Sequence, residues 1–356
     1  MSVSVVGAGI SGLSIALQLL ERDLGPVTLY ERTGVGSGAS GLQPGGLRQQ
    51  WGTRSNCLMA KESLAFYREL GEPFTACGYL FLADEAETLA QLEAGLAVQH
   101  ALDVPSRLLS PDEAREVVPG LEPGAALGAA WCAEDGYFDR PQAVVERFAK
   151  EVGMRGGRIE LADVRGLRPD GAGWRLELAG GAGVVADAVV VAAAAGSRAL
   201  VAPLGFDLPI VEEPRTLFLS EPIRERLLEP LVIAIDRGIA AKHLADGRVL
   251  ASDLRGEGGE WRRRLHELLP LLEFVTFPIV ATGVYDMTPD GQPIVASLAD
   301  GLWVAAGFSG HGFMVAPSTG RLVAGGLAGA ELPEWHEALR ANRFGEGSQE
   351  TEAQVI

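Results

Sequence analysis

The first forty residues contain a strand, a glycine-rich turn, a helix and a second strand in close succession. Three glycines of the turn, Gly7, Gly9 and Gly12, follow the spacing Gly-x-Gly-x-x-Gly. The first glycine allows a tight turn, the second lets the backbone approach a pyrophosphate, and the third lets the helix pack closely on the strand. A helix that begins near Ile10 presents its free N–H groups and its positive end to such phosphates. The order and spacing therefore predict a Rossmann-type domain that binds a dinucleotide.

Glu31 ends the second strand of this unit and narrows the choice of dinucleotide. A carboxylate at this position accepts hydrogen bonds from the ribose hydroxyls of an adenosine. It would repel a phosphate on the 2′ oxygen, so this residue favours FAD or NAD over NADP. The alternative, a βαβ unit without a nucleotide, is disfavoured because the strand, glycines, helix and acid all occur at the required spacing.

Composition excludes several classes of protein. The chain has 356 residues, enough for two domains, and a formal net charge of −17. Because a phosphate-binding face needs clustered lysines and arginines, a nucleic-acid partner is not expected. The five histidines are dispersed, so no metal site is predicted. The cysteines, Cys57, Cys77 and Cys132, form no paired pattern and indicate free thiols in a reducing compartment.

No segment of the sequence predicts membrane insertion or export. The longest uncharged apolar run, 188–195, is far shorter than a helix that spans a bilayer. The first residues have no basic region and already form the first strand, so a signal peptide is not expected. Cytoplasm is the predicted location. Residues 345–356 are polar and acidic, and this composition predicts a frayed tail.

Apolar runs and helical periodicities alternate along the chain in a way that indicates two interleaved domains. The run 188–193 is continuously apolar, which suits a strand buried on both faces of a parallel sheet beside the first strand. Ser110 precedes Pro111 and two acidic residues, a pattern typical of a helix start. The predicted helices cover 56–70, 85–102, 140–153 and 260–269, and the predicted strands cover 79–82, 158–161, 188–193, 216–219, 231–234, 248–252, 274–280 and 302–306.

A second glycine-rich junction joins the strand 302–306 to a long helix that ends near Leu327. The junction runs from Gly307 to Met314 and also contains Gly310 and Gly312. Glycines here allow a ligand to approach the backbone closely at the positive end of a helix. A second helix start suits the flavin end of a dinucleotide, so the cofactor is predicted to be FAD.

Eight segments of the chain match the pattern of one enzyme family. They are Gly7–Gly12, Glu31–Arg32, Gly36–Ser40, Gly45–Arg48, Asp135–Tyr137, Val189–Ser197, Thr288–Asp290 and Gly307–Gly320. On these segments the chain resembles the D-amino-acid oxidase superfamily of FAD-dependent oxidoreductases, nearest to glycine oxidase and the sarcosine oxidase β subunit. The resemblance covers nearly the whole chain.

The resemblance implies an α/β plus α+β fold. A Rossmann-type FAD-binding domain would be interleaved with a substrate domain that contains a large, mainly antiparallel sheet. The expected FAD-binding domain comprises 1–75, 141–204 and 281–344, and the expected substrate domain comprises 76–140 and 205–280.

The resemblance also implies an activity. A small secondary amine or amino acid, similar to glycine, sarcosine or proline, would be oxidised by hydride transfer to flavin N5, giving an imine that hydrolyses. Oxygen or another electron acceptor would then reoxidise the flavin. Two alternatives stay open: FAD-dependent oxidation of a 2-hydroxy acid, and a non-catalytic FAD-binding assembly subunit. The chain would act as a homo-oligomer or as a subunit of a complex.

Two residues depart from the pattern of monomeric sarcosine oxidase. That enzyme tethers its flavin through a cysteine where this chain has Gly283, so FAD is expected to bind non-covalently. It also has a lysine that helps to hold the substrate carboxylate where this chain has Met314. Arg48 is then the first choice for an anionic substrate, because arginine binds carboxylates in bidentate fashion. A surface or interdomain salt bridge is the alternative role for this arginine.

Several side chains are candidates for the site. His311 is either a residue at the flavin edge or a structural turn histidine, and Tyr285 either lines the pocket or only packs. Lys242 and Arg255 are weaker candidates that are expected to be surface residues. The catalytic candidates are Arg48, His311, Tyr285 and Met314, and the residues expected to bind FAD are Gly7, Gly9, Ile10, Ser11, Gly12, Glu31, Arg32, Gly38, Ala39, Ser40, Gly45, Gly46, Leu47, Val164, Ala193, Gly307, Gly310, His311, Gly312, Phe313 and Met314.

Overall fold

The computed structural model describes residues 1–256, 259–345 and 350–355. Its chain divides into two compact units, each made of separate segments. Unit 1 comprises Met1–Gln43, Arg140–Glu213 and Tyr285–Glu352, and unit 2 comprises Pro44–Asp139, Pro214–Val284 and Ala353–Ile356.

This division differs from the predicted domains mainly over residues 44–75. These residues were assigned to the FAD-binding domain together with the first strands, but they belong to unit 2. The reason is a small sheet in which residues 46–47 and 74–75 both pair with the strand 136–138. Such short, non-local pairing leaves no periodicity in the sequence.

Unit 1 contains a mainly parallel sheet with helices, and it has the α/β arrangement that the sequence predicts. Its main sheet has the strand order β19-β20-β13-β1-β2-β9, and a smaller antiparallel sheet has the order β10-β11-β12. The elements are β1 (Val3–Val6), α1 (Ile10–Glu21), β2 (Val27–Glu31), α2 (Ala39–Leu42), α6 (Pro141–Met154), β9 (Arg158–Leu161), β10 (Val164–Asp170), β11 (Gly173–Leu178), β12 (Gly183–Ala186), β13 (Ala188–Val191), α7 (Gly196–Val201), β19 (Ile294–Ala299), β20 (Leu302–Ala306) and α9 (Gly312–Leu327).

The centre of the main sheet is built from continuous apolar runs. β1 pairs in parallel with β13 on one side and with β2 on the other. Every residue of β1, β13 and β20 is buried, which is typical of strands covered on both faces. The predicted position of the run 188–193 beside the first strand is therefore confirmed.

Most strands of the larger, mainly antiparallel sheet belong to unit 2. Its strand order is β18-β14-β17-β16-β15-β5-β7-β6, and β15 pairs with β5 in parallel. The elements are β3 (Gly46–Leu47), α3 (Arg54–Glu69), β4 (Phe74–Thr75), β5 (Tyr79–Ala83), α4 (Ala86–His100), β6 (Arg107–Leu109), α5 (Pro111–Val117), β7 (Gly128–Cys132), β8 (Gly136–Phe138), β14 (Val211–Leu219), β15 (Leu231–Ala234), β16 (Ile239–His243), β17 (Val249–Asp253), α8 (Trp261–Leu268) and β18 (Ile279–Met287).

Local signals predict about half of these elements correctly, but they do not predict the strands β3, β4, β6, β7, β8 and β16, and one predicted strand is wrong. Ser110 caps α5 as predicted, in a capping box with Glu113. The predicted strand 274–280 is wrong, because β18 begins only at Ile279. Residues 275–278 are irregular, although Val275 and Phe277 are buried in the unit 2 core. Their alternating burial imitates the period of a strand, although residues 275–278 do not form one.

The prediction of a frayed tail over 345–356 is wrong for the part of it that the structure describes, 350–355. Glu352 and Gln354 are each only 3% exposed. The other tail residues, 346–349 and 356, lie outside the described residues.

Backbone hydrogen bonds explain the order of this tail in unit 1. The carbonyl of Glu350 accepts from Gln292 Nε2 over 2.6 Å. The N–H of Glu352 donates to the carbonyl of Asp290 over 2.8 Å. These contacts depend on main-chain groups, so the polar composition of the tail did not reveal them.

Candidate functional site

Residues predicted to bind the cofactor lie at one edge of the main sheet of unit 1. β9, β2, β1, β13 and β20 run parallel, so their carboxyl ends meet at that edge. Gly7 follows β1, and Glu31 ends β2. Val164, Ala193 and Gly307 follow β9, β13 and β20. Segments that are far apart in the sequence therefore converge where open α/β sheets bind their ligands.

Close backbone packing explains two of the three glycines in the first turn. Gly7 has φ +106°, and a Cβ there would lie 2.3 Å from the carbonyl oxygen of Ala192. A Cβ on Gly12 would lie 2.1 Å from the carbonyl oxygen of Gly7. The nearest atom to a Cβ on Gly9 is Ser40 Oγ, at 3.1 Å. The fold itself thus demands the first and third glycines, whereas a ligand that approaches the backbone at Gly9 stays a prediction.

Glu31 is held as an ionised acceptor beside this turn. Its carboxylate accepts hydrogen bonds from the N–H of Ala8 over 2.9 Å and from the N–H of Thr33 over 3.0 Å. Partial burial raises the pKa of Glu31, but these bonds and one from the N–H of Gly34 outweigh it and hold the pKa below its usual value. The Thr33 hydroxyl also donates to this carboxylate over 3.1 Å, so its roughly four acceptor positions are already in use, and a ribose hydroxyl would bind in place of one of these donors.

The second glycine-rich junction is organised by Asp286, which the sequence analysis did not single out. Its carboxylate accepts from the N–H of Gly307 over 2.7 Å, and burial raises its pKa to about 6. The carbonyl of Asp286 accepts from the N–H of Ser309 over 3.0 Å. The Ser309 hydroxyl in turn accepts from the N–H of Thr288 over 3.1 Å. These bonds hold residues 307–309 in a defined path before α9 begins.

The candidate residues Tyr285, His311 and Met314 all lie near the start of α9. A Cβ on Gly310 would lie 2.2 Å from the ring of Tyr285, so this ring packs directly on the junction. His311 is the N-cap of α9, and its Nδ1 lies 3.3 Å from the carbonyl oxygen of Ser309. His311 is buried, whereas Met314 is half-buried.

The helices α1 and α9 pack against each other within unit 1. A Cβ on Gly320 would lie 2.7 Å from the carbonyl oxygen of Ser14, so the two backbones approach closely. Each helix begins at the carboxyl edge of the sheet, after Gly9 and His311 respectively. Two positive helix ends at one sheet edge fit the negative charge of a dinucleotide such as FAD.

The remaining predicted cofactor residues, Gly45, Gly46 and Leu47, belong to unit 2. Gly45 has φ +82°, which favours glycine. A Cβ on Gly46 would lie 1.9 Å from Tyr79 Oη, so only glycine fits there. Residues 46–47 pair with residues 136–137 as β3 and β8. Backbone conformation and packing therefore require the glycines of this segment, independently of any ligand.

Arg48, the candidate for binding a carboxylate, is 1% exposed in unit 2. Its guanidinium carbon lies 3.5 Å from the ring centroid of Trp51 and 4.9 Å from that of Phe81. Nη1 donates to the carbonyl of Gln50 over 2.6 Å, and Nη2 donates to the carbonyl of Gln354 over 2.5 Å. Two aromatic faces and two carbonyls thus fix the plane of the guanidinium.

Asp135 fixes the segment that follows Arg48. Its buried carboxylate accepts from the N–H of Gln49 over 2.9 Å and from Gln50 Nε2 over 3.1 Å. Burial raises the pKa of Asp135 to about 6, so the group is still ionised at neutral pH. Gln50 Nε2 also donates to the carbonyl of Tyr79 over 3.1 Å. The segment Asp135–Tyr137, which carries part of the resemblance, therefore positions the loop that bears Arg48.

Lys242 is buried, which corrects its assignment to the surface. It lies in β16, is 1% exposed, and donates from Nζ to the carbonyl of Pro44 over 2.5 Å. Nζ also lies 3.9 Å from the ring centroid of Tyr137. Burial lowers the pKa of Lys242 to about 7, although Asp139 and Cys77 oppose this effect. Arg255, the other weak candidate, is exposed as expected.

No helix within 1–256, 259–345 or 350–355 is long and apolar enough to cross a membrane. In the same ranges, no group of three or more histidine, cysteine, aspartate or glutamate side chains could hold a metal ion.

Comparison with protein-family models gives one match over most of the chain. The model described as "FAD dependent oxidoreductase" matches residues 2–325. This range includes both glycine-rich junctions and Arg48.

Individual relatives agree with this match. The chain is 27% identical to glycine oxidase from Geobacillus kaustophilus, over 90% of this chain and 91% of the relative. It is also 27% identical to 4-methylaminobutanoate oxidase (formaldehyde-forming) from Paenarthrobacter nicotinovorans, over 93% of this chain but only 43% of the relative. The solved structure of L-proline dehydrogenase from P. horikoshii superimposes with a TM-score of 0.89, at 26% identity and 98% coverage of both chains.

Replacing Gly9 tests whether its role is ligand approach. Because only Ser40 Oγ lies near the added Cβ, Gly9→Ala should preserve the fold and weaken FAD binding at least tenfold, or about 1.4 kcal/mol. FAD content is measured by acid precipitation and absorbance of the supernatant, with the thermal unfolding midpoint as a check on folding. Gly153→Ala, with nothing within 4 Å of its Cβ, is the matched control. Full FAD content in Gly9→Ala would remove Gly9 from the cofactor site.

Lys242 should make stability depend on pH. Its pKa is about 7 in the folded state and 10.5 in the unfolded state, so between these values the unfolded state binds more protons. The contribution of Lys242 to stability therefore rises by up to about 1.4 kcal/mol per pH unit above pH 7. Urea unfolding of the wild type and Lys242→Met from pH 7.5 to 9.5 should show their difference in free energy growing in favour of the wild type.

The control for this experiment is Lys150→Met, a substitution of an exposed lysine that should keep the wild-type slope. Parallel profiles for the wild type and Lys242→Met would mean that Lys242 is protonated in the folded state over the whole range.

Proposed function

This chain belongs to the FAD-dependent oxidoreductase family, and from that premise we propose that it oxidises a small secondary amine or amino acid, similar to glycine, sarcosine or proline. The observation that carries the proposal is the convergence of the two glycine junctions and Glu31 at one sheet edge. The names of the relatives support the substrate class, since they act on glycine, 4-methylaminobutanoate and L-proline.

The residues of unit 1 supply binding and electrostatics. Bound FAD supplies the two-electron oxidation of the substrate, chemistry that no side chain provides. The N–H groups at the start of α1 bind the pyrophosphate, and the carboxylate of Glu31 binds a ribose. The start of α9, after His311, would present N–H groups and a positive helix end to the bound cofactor, where they would stabilise negative charge.

Arg48 binds the carboxylate of an amino-acid substrate in this proposal. Its guanidinium is already oriented by Trp51 and Phe81, so little side-chain freedom is lost on binding. Met314 replaces the lysine of monomeric sarcosine oxidase, so this chain lacks one cation of that pattern. We infer a substrate whose carboxylate is held less strongly, or one that is larger or less charged.

The cysteines of the described structure are consistent with non-covalent FAD. Position 283 is glycine, and Cys57 and Cys132 are buried. Burial also raises the pKa of Cys77 to about 11, so its thiol is protonated and unreactive at neutral pH. Yellow colour that stays in the acid precipitate of the wild type would contradict this part of the proposal.

The decisive experiment is anaerobic mixing of the holoenzyme with three sets of compounds: secondary amines, amino acids and 2-hydroxy acids. Loss of the flavin absorbance band with amines or amino acids is the expected result. Bleaching by hydroxy acids alone would replace the proposal with 2-hydroxy-acid oxidation. No bleaching by any set, in protein of full FAD content, would indicate a non-catalytic subunit.

Arg48→Met should separate carboxylate binding from the rest of catalysis. Methionine keeps much of the packing on Trp51 and removes the charge, so the KM for an amino acid should rise about 30- to 700-fold, equivalent to about 2–4 kcal/mol. An amine without a carboxylate should be affected much less. Steady-state kinetics with sarcosine and with dimethylamine provide the comparison. An equal change for both compounds, or no change, would remove Arg48 from the substrate site.

A further inference from the structure

The guanidinium of Arg48 is already engaged by two carbonyl oxygens. Arginine binds a carboxylate most strongly through two parallel N–H donors. One donor, Nη1, is used by the carbonyl of Gln50 at 2.6 Å, and another, Nη2, by the carbonyl of Gln354 at 2.5 Å. Each Nη keeps a second N–H, but Arg48 is only 1% exposed, so a substrate carboxylate reaches these donors only when a group that contacts the guanidinium, such as one of these two acceptors, moves away.

Gln50 is the less displaceable of the two acceptors. It is fully buried, and its Nε2 donates to Asp135 Oδ2 and to the carbonyl of Tyr79, both over 3.1 Å. Its carbonyl also lies only two residues from Arg48 in the same loop. Moving it would break a buried ionic hydrogen bond and a main-chain contact with β5.

Gln354 belongs to a short segment of unit 2 that is far from Arg48 in the sequence. Residues 353–355, which we call the strap, have no regular secondary structure. Gln354 is nevertheless only 3% exposed. It packs on α4, because a Cβ on Gly95 would lie 2.3 Å from Gln354 Nε2. Few contacts hold such a segment, so its displacement by a ligand costs less free energy than the displacement of a strand from a sheet.

We propose that the strap determines specificity, because the carbonyl of Gln354 competes with a substrate carboxylate for Arg48. The strap lowers the affinity of the site for carboxylate-bearing ligands and leaves neutral ligands unaffected. This inference rests on the role proposed above for Arg48. It agrees with the replacement of a family lysine by Met314, since both features weaken the hold on an anion.

The test compares benzoate with benzamide, two probes of the same shape that differ in charge. Each is titrated into the holoenzyme, and binding is measured from the change in the flavin absorbance spectrum. A chain truncated after Glu352 lacks the strap, so it should bind benzoate about tenfold more tightly, as expected when a charged hydrogen bond no longer has to be displaced. The affinity for benzamide should stay the same.

A second variant displaces the strap without shortening the chain. Gly95→Leu introduces a good helix former in α4 and places its side chain where Gln354 lies. It should also tighten benzoate binding selectively. Ala94→Leu, at the neighbouring exposed position, is the matched control and should behave as the wild type. This variant decides the question if the truncated chain has a lowered FAD content or unfolding temperature.

Arg48→Met separates failure of this inference from failure of the proposed role of Arg48. If Arg48→Met weakens benzoate binding but neither strap variant tightens it, the strap proposal is overturned and the role of Arg48 stands. If Arg48→Met leaves benzoate binding unchanged, both are overturned. Equal tightening of benzoate and benzamide would also overturn the strap proposal, as would the absence of benzoate binding in every variant. Truncation in the Arg48→Met background should have no effect on either probe.

Discussion

The close approach of backbone to backbone around the first turn is the constraint on which unit 1 depends. The carbonyl of Ala192 and the carbonyl of Gly7 each occupy space that a side chain would need at Gly7 and Gly12. This packing sets β1 directly beside β13 and brings α1 down onto the sheet. The common carboxyl edge, and with it every predicted cofactor residue in unit 1, follows from that arrangement.

A second level of organisation comes from carboxylates that bind main-chain N–H groups. Glu31 does this after β2, Asp286 does it before α9, and Asp135 does it beside Arg48. In each case an acidic side chain fixes the path of a loop next to a helix or a strand. The hydrogen bonds outweigh burial at Glu31, and they only partly offset it at Asp135 and Asp286, whose pKa values rise to about 6. These acids act by positioning the backbone of the two units, and the reactive chemistry is left to the cofactor.

The structural features that depend on local signals could be predicted from the sequence. The glycine turns, the capping box at Ser110 and the apolar run at 188–193 each have a local cause, and the structure has them as predicted. Lys242 was misjudged because its burial depends on Pro44, nearly two hundred residues earlier. Asp286 and Gln354 were missed because their partners are main-chain N–H groups or a distant arginine. Neither kind of partner lies at a fixed separation in the sequence, so no sequence pattern predicts the contact.

The contact between Gln354 and Arg48 has a consequence for how members of this family are compared. Gln354 contributes a main-chain carbonyl, and every amino acid carries that group. A protein could therefore gain or lose the contact by a change in the path of a few residues, without altering any motif. The matched family region ends at residue 325, well before this segment. Under the proposal that Gln354 competes with an anion, two relatives with the same arginine and the same glycine turns would differ in anion binding, and an alignment of their side chains would not distinguish them.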